Sequence, residues 1–259
     1  MPLPLYAQSF GHGAALIVLH GLFGSGTNWR SLARGLSDGC TVHLLDLRNH
    51  GRSPHADSMN YPEMANDLRA YMDEQGIEAA AILGHSMGGK VAMYFALNAP
   101  GRVTHLVVVD IAPVSTAFDH LPYIRAMQAL TLGNIESRGD ASQKLAAEIP
   151  DLGLRQFLLQ NLVREKEAWR WRLNLDALRG NMRALQDFPI DGTGDRYLGP
   201  VLLVRGERSD YVAESHRPAV ERRFPAAEIV TISEAGHWVH ADQPVQFLTA
   251  VRSFLDGTD

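Results

Sequence analysis

The chain has 259 residues, 46% of them hydrophobic and 20% charged, which suits a single α/β domain with a sizeable core. Its formal net charge is −5, with acids and bases interspersed. That balance speaks against nucleic-acid binding, which uses a concentrated basic surface, and a lone cysteine, Cys40, rules out an intramolecular disulfide and suits a reducing, cytoplasmic setting.

Taken from the N-terminus, MPLPLYAQSFGHG has neither a basic start nor a long apolar run, so no signal peptide is predicted. No later run approaches the roughly 18 apolar residues of a membrane span. Short apolar runs at 14–19, 41–45, 79–83 and 106–109 predict strands, and their near-continuous hydrophobicity implies burial on both faces, as in a parallel sheet. Between them, Asn60 reads as a helix cap with Glu63 three residues on. Met64, Leu68, Tyr71 and Met72 mark the apolar face of that helix, and Gly76 ends it. A second helix is predicted over 90–98, stopped by Pro100. From 113 to 197 the strand signal disappears, and helical patterns run over 121–132, 141–149, 154–163 and 173–185. Asp191-Gly192-Thr193-Gly194-Asp195 reads as the linker back to strands at 201–204 and 229–232, before a last helix at 245–255. The end, Asp256 to Asp259, reads as a short frayed tail. The expected fold class is α/β, a mostly parallel central sheet with helices on both faces. Residues 1–112 and 198–259 would form the core, and 113–197 a helical cap insertion.

Three loop motifs carry chemistry. Gly84-His85-Ser86-Met87-Gly88 matches G-x-S-x-G, with a strand before it and a helix after it. That is the setting in which a sharp turn lifts a serine hydroxyl out of a sheet as a nucleophile. His20-Gly21-Leu22-Phe23-Gly24 follows an earlier strand. Acyl transfer places negative charge on a carbonyl oxygen, which two backbone N–H groups must meet; Leu22 and Met87 are the expected donors. Gly236-His237-Trp238 lies after the last strand, and His237 is the expected general base. Most of the 11 histidines must be ordinary. His85 should point away from Ser86, His20 and His50 should brace turns, and His240 is a competitor on the same loop as His237. The acid that orients His237 has two candidates at strand ends, Asp110 and Asp210; both keep the order Ser, Asp, His.

The remaining patterns are less specific. Asp46 to Ser53 (DLRNHGRS) reads as a bracing turn under the site. Leu121, Tyr123, Met127, Leu130, Phe157, Leu158 and Leu162 could line an acyl pocket or could equally be core. Trp169-Arg170-Trp171-Arg172 is either a grip for an anionic leaving group or a solvated helix face. No metal or cofactor is expected, since the histidines lack ligand spacing such as H-E-x-x-H and hydrolysis needs neither.

Together HGLFGSGTNW, DLRNHGRS, GHSMGGK, VVVDIAPV and GHWVHADQP resemble the α/β-hydrolase superfamily, and in detail the YbfF-type esterases of bacteria and their mitochondrial relatives. The resemblance covers most of the chain, from Leu16 to Leu255, and is weakest in the helical insertion. It implies a serine esterase acting on small-molecule acyl esters or thioesters of short to medium chain length, through an acyl-enzyme. In most of the superfamily the acid follows the strand corresponding to 201–204, at a position held here by Ser209. The YbfF-type variant carries it one strand earlier, which selects Asp110 for the triad with Ser86 and His237. Serine at position 86, where dehalogenases and epoxide hydrolases carry aspartate, argues against those branches. Perhydrolase or non-metal haloperoxidase chemistry and a small-ligand receptor are the alternatives.

Overall fold

The computed structural model describes residues 1–189 and 196–257. Its first half contains β1 (Ala7–Gly11), β2 (Ala14–Leu19), α1 (Arg30–Leu36), β3 (Cys40–Leu45), α2 (Tyr61–Glu74), β4 (Ala80–His85), α3 (Met87–Asn98) and β5 (Val103–Val109). The next segment holds α4 (Leu121–Ala129), α5 (Arg138–Lys144), α6 (Leu152–Leu159), β6 (Leu162–Glu165), β7 (Ala168–Trp171), α7 (Leu175–Gly180) and α8 (Met182–Gln186). The chain then completes the sheet with β8 (Val201–Gly206), α9 (Arg217–Arg223), β9 (Ala227–Ile232), α10 (Val239–Asp242) and α11 (Pro244–Asp256).

Seven strands pair in the order β1-β3-β2-β4-β5-β8-β9. All pairs are parallel except β1 against β3. Side chains alternate across a strand, so each strand feeds two cores. Ile17, Leu19, Ile82 and Val108 join Met64, Leu68, Val91 and Phe95 of α2 and α3 on one face. Leu16, Val18, Leu83 and Val107 join Leu32, Phe247 and Val251 of α1 and α11 on the other. Cover on both faces is why the central strands are apolar at nearly every position. The expected α/β class, with a mostly parallel sheet and helices on both faces, is therefore the observed one.

Local signals explain most element ends. The Asn60 side chain accepts a hydrogen bond from the Glu63 N–H and starts α2, and Gly76 follows its end at φ +66°. The helix after β4 begins at Met87, earlier than expected, because the turn at Ser86 leads straight into it.

The segment between β5 and β8 departs from expectation. It is not purely helical: β6 and β7 form an antiparallel hairpin. The helix expected over 154–163 stops at Leu159, and the Trp169–Trp171 stretch is strand, not a helix face. Arg170 pairs with Glu165 across the hairpin, and the Trp171 indole N–H donates to the Met127 carbonyl. The edge strand β1 was not expected at all. The Asp191–Asp195 linker lies outside the described residues, as do Thr258 and Asp259 of the expected tail. No helix among the described residues is long and apolar enough to cross a membrane.

Candidate active site

The strand-to-helix turn at Ser86 depends on close backbone approach. A Cβ on Gly84 would lie 2.2 Å from the Gly88 carbonyl oxygen, and one on Gly88 would lie 2.4 Å from that of Leu19. Neither position can carry a side chain. Ser86 itself sits at φ 52°, ψ −118°, a region that L-residues rarely occupy. The surrounding packing holds that strain and leaves the hydroxyl above the carboxyl ends of β4 and β5.

Three side chains from distant parts of the chain meet there. The Ser86 Oγ lies 3.0 Å from His237 Nε2. His237 Nδ1–H donates to Asp110 Oδ2 over 2.8 Å, so Nε2 is the unprotonated nitrogen that accepts from the serine. Asp110 is fully buried just beyond the end of β5, at φ 52°. Its Oδ1 accepts from the Gly206 N–H over 3.0 Å, and the Ser209 hydroxyl donates to its Oδ2. A buried carboxylate is tolerable only with such partners. Asp210 is exposed, and it is Asp110 that the imidazole bonds. Ser209 stands beside the carboxylate in the turn that follows β8.

The expected oxyanion donors flank the same serine. Met87 opens α3, and the first helical bond is made by Lys90 N–H to Ser86 O, so the Met87 amide lies ahead of the helical ladder. Leu22 lies in a turn closed by Gly24 N–H to Gly21 O at 3.0 Å, with Phe23 at φ 64°. Leu22 and Met87 both border a cavity that contains Ser86.

Buried histidines hold the frame in their neutral form. His20 Nδ1–H donates to its neighbour's carbonyl at Gly21, and its Nε2 accepts from the Leu47 N–H. His50 Nδ1–H donates to Arg48 O, and its Nε2 accepts from the Phe23 N–H. Each ring therefore needs one bare nitrogen, and burial pushes their pKa values down to about 4 and about 3. His85 is bonded away from the serine hydroxyl, its Nε2–H donating to the His237 carbonyl oxygen over 2.9 Å, although its ring borders the same cavity as Ser86. His240 is stacked on Trp29 with ring centroids 4.1 Å apart, and burial lowers its pKa to about 3. Within 46–53, Asp46 accepts from the Gly26 and Arg52 amides, and buried Arg48 pairs with buried Asp67 at 2.7 Å. This stretch ties the loops after β2 and β3 together, while the Ser86 hydroxyl is bonded to His237.

Two cavities meet at Ser86, and Leu22, His120 and Tyr211 border both of them. A wide one, about 270 Å³, is walled by Phe23, Tyr123, Leu154, Phe157 and Trp238 and includes His237. A narrow one, about 30 Å³, includes Met87, Lys90, Gln186 and Leu185. Of the residues expected as an acyl pocket, Tyr123 and Phe157 line the wide cavity. Met127, Leu158 and Leu162 are core instead, being fully buried against other apolar side chains. Leu130 faces grooves elsewhere on the surface.

Several contributors carried no sequence signal. Tyr211 stacks on the His237 imidazole with centroids 3.7 Å apart, and Phe118 stacks on Tyr211 at 3.9 Å. His120 borders both cavities, and burial lowers its pKa to about 4. Lys90 lay within the expected second helix, but its position beside the serine follows only from the helix face it occupies.

Known proteins share this arrangement of chain. A family model described as the alpha/beta hydrolase fold matches residues 14–244. The sn-1-specific diacylglycerol lipase ABHD11 of Mus musculus is 42% identical, over 98% of this chain and 86% of the mouse protein. Esterase YbfF of Escherichia coli is 36% identical, over 96% of both chains. Among solved structures, one described as a marine microorganism esterase superposes with a TM-score of 0.93 at 40% identity, covering 97% of this chain and 99% of that one.

Proposed function

This chain belongs to the alpha/beta hydrolase fold family and is a carboxylic ester hydrolase; from that premise we propose that it works through a Ser86–His237–Asp110 triad and an acyl-enzyme. The observation that carries this reading is the unbroken hydrogen-bonded relay from the Ser86 hydroxyl through the imidazole to the buried Asp110 carboxylate. As Ser86 Oγ attacks the ester carbonyl carbon, its proton passes to His237 Nε2. The carbonyl oxygen gains a full charge, which the amides of Leu22 and Met87 stabilise. Asp110 does not take the proton; it fixes the tautomer and stabilises the imidazolium. His237 then protonates the departing alcohol oxygen, the C–O bond breaks, and the acyl group stays on Ser86. Water attacks next, giving its proton to His237, and the acid leaves as Ser86 recovers its hydrogen.

Residues 113–197 serve as the cap in this reading. Phe118, Tyr123 and Phe157 from that stretch border the cavity above Ser86, which favours a small-molecule ester with an apolar portion. Thioesters belong to the same range, because their carbonyl presents the same electrophile to the serine. No cofactor enters any step.

A fluorophosphonate probe tests the assignment, because it reacts only with an activated serine. The native protein should be labelled stoichiometrically, and peptide mapping should place the adduct on Ser86. A Ser86→Ala variant with an unchanged melting temperature should not react. Labelling elsewhere would move the nucleophile away from Ser86, and no labelling of the native protein would remove the triad reading.

A further inference from the structure

We propose that the site sorts the two halves of its ester by lobe: a short acyl group enters the narrow cavity bounded by Lys90, and a larger apolar alcohol occupies the aromatic cavity beside His237. The inference rests on the triad reading above and narrows it to esters of short acids with bulky apolar alcohols.

Geometry assigns the halves. In the tetrahedral adduct one substituent is Ser86 Oγ and a second is the oxyanion, held at Leu22 and Met87. The leaving oxygen must lie within reach of His237 Nε2, since it receives that proton. His237 borders the wide cavity and not the narrow one. The alcohol therefore departs on the wide side. The fourth substituent, the acyl chain, is left with the narrow cavity, which Ser86, Met87 and Leu22 border but His237 does not.

Size and chemistry then limit that chain. The narrow cavity, about 30 Å³, has room for one or two groups of about the size of water. Tyr61, Met182 and Leu185 are buried and close its sides. Its far wall is polar: Lys90 Nζ donates to the Gln186 and Asp187 carbonyl oxygens at 2.8 and 3.0 Å. A long alkyl tail would have to push into the packed side walls or lie against a buried ammonium, to which it offers no polar contact. The alcohol side has the opposite character. Its cavity of about 270 Å³ is lined by Phe23, Tyr123, Leu154, Phe157 and Trp238, which reward added apolar surface.

The test uses the full-length protein and two ester series. One varies the acid, from p-nitrophenyl acetate and butyrate to octanoate and laurate. The other varies the alcohol, from ethyl through butyl to octyl acetate, followed by acid release. From butyrate to octanoate kcat/KM should fall by about tenfold or more, and from ethyl to octyl acetate it should rise by about tenfold or more. Leu185→Ala, which opens the narrow lobe, should raise the octanoate-to-butyrate ratio and leave the octyl-to-ethyl ratio unchanged. Phe157→Ala should lower the octyl-to-ethyl ratio and leave the acid series unchanged. Each ratio is taken within one protein, so a partly unfolded variant does not distort it. The assignment is overturned if the native protein cleaves octanoate as fast as butyrate, or if both variants shift the same ratio. Loss of turnover on every ester in both series would instead remove the ester-cleaving triad itself, and the lobe assignment with it.

Discussion

Two walls meet at Ser86, and different forces hold them. The sheet-side wall is made of polar groups fixed by directed bonds. Asp110 accepts from the Gly206 amide, the Ser209 hydroxyl and His237 at once. His20 and His50 are each bonded at both ring nitrogens. The facing wall, from the helices and loops that follow Pro113, meets the site mainly through rings and alkyl groups. Phe157 packs against Trp238 at 5.5 Å between centroids, and Phe118 stacks on Tyr211. Hydrogen bonds fail abruptly when one partner is lost or misplaced, whereas apolar packing degrades gradually. The sheet side should therefore be intolerant of change, and the facing side should tolerate it while shifting substrate preference.

The sharpest way to break that comparison is at Asp110. An Asp110→Asn variant keeps the shape but can donate to His237 Nδ1, which imposes the wrong tautomer. A loss in kcat of about 10⁴-fold is expected. Asp210→Asn, at an exposed position, should stay within about twofold, since surface substitutions are usually near neutral. Steady-state kinetics on p-nitrophenyl butyrate decide the matter, and a large loss confined to Asp210→Asn would reverse the assignment.

The second effect is smaller and concerns stability. His20, His50 and His240 on the sheet side are buried and neutral, with pKa values lowered by burial to about 4, about 3 and about 3. The unfolded chain titrates these groups near the ordinary histidine value of about 6.5. Below that pH the unfolded state binds protons that the folded state refuses, so stability falls as pH drops from about 6.5 towards the lowered values. Above about 6.5 neither state is protonated and the penalty is absent. His240 lies among Trp29 and Phe247, so His240→Phe can keep the stack while removing one such group. At pH 5 that change should recover about 2 kcal/mol of the stability lost since pH 7, read from urea midpoints at both values. An unchanged pH dependence would show that this ring is not held neutral by the fold.

The same division of forces decides what can be read from the residues alone. The central strands are buried on both faces, which forces unbroken apolar runs such as Leu106-Val107-Val108-Val109 in β5, buried throughout. Gly84 and Gly88 are readable because backbone contact forbids any side chain there. β1 gives little signal because it is an edge strand with a mostly half-exposed, weakly alternating pattern. The β6–β7 hairpin reads as helix, although Trp169 and Trp171 are half-buried while Ala168 and Arg170 are exposed, a period of two. Its two strands are only four residues each, too short for that period to stand out. Asp110 and Asp210 cannot be separated by local pattern, since both lie near strand ends and only the fold determines which one faces His237. Tyr211, Phe118 and His120 reach the site through tertiary packing, which no spacing rule encodes.

The smallest effect tests the facing wall directly. Phe118 is 38% exposed and touches the base through Tyr211, in a run of three near-parallel rings that ends on His237. An aromatic pair of this kind is worth about 0.5–1.5 kcal/mol beyond its buried area, and partial exposure places this one at the low end. If the stack only walls the cavity, Phe118→Leu should raise KM by about threefold and leave kcat nearly unchanged, since apolar contact binds the ground state and transition state alike. If the ring instead fixes the angle at which His237 meets Ser86, kcat must fall, because proton transfer depends on that geometry and substrate binding does not. A fall in kcat of about thirtyfold or more would mean that the two walls are coupled through the ring stack. The separation of an intolerant sheet side from a tolerant facing side would then fail where their rings stack in a continuous column.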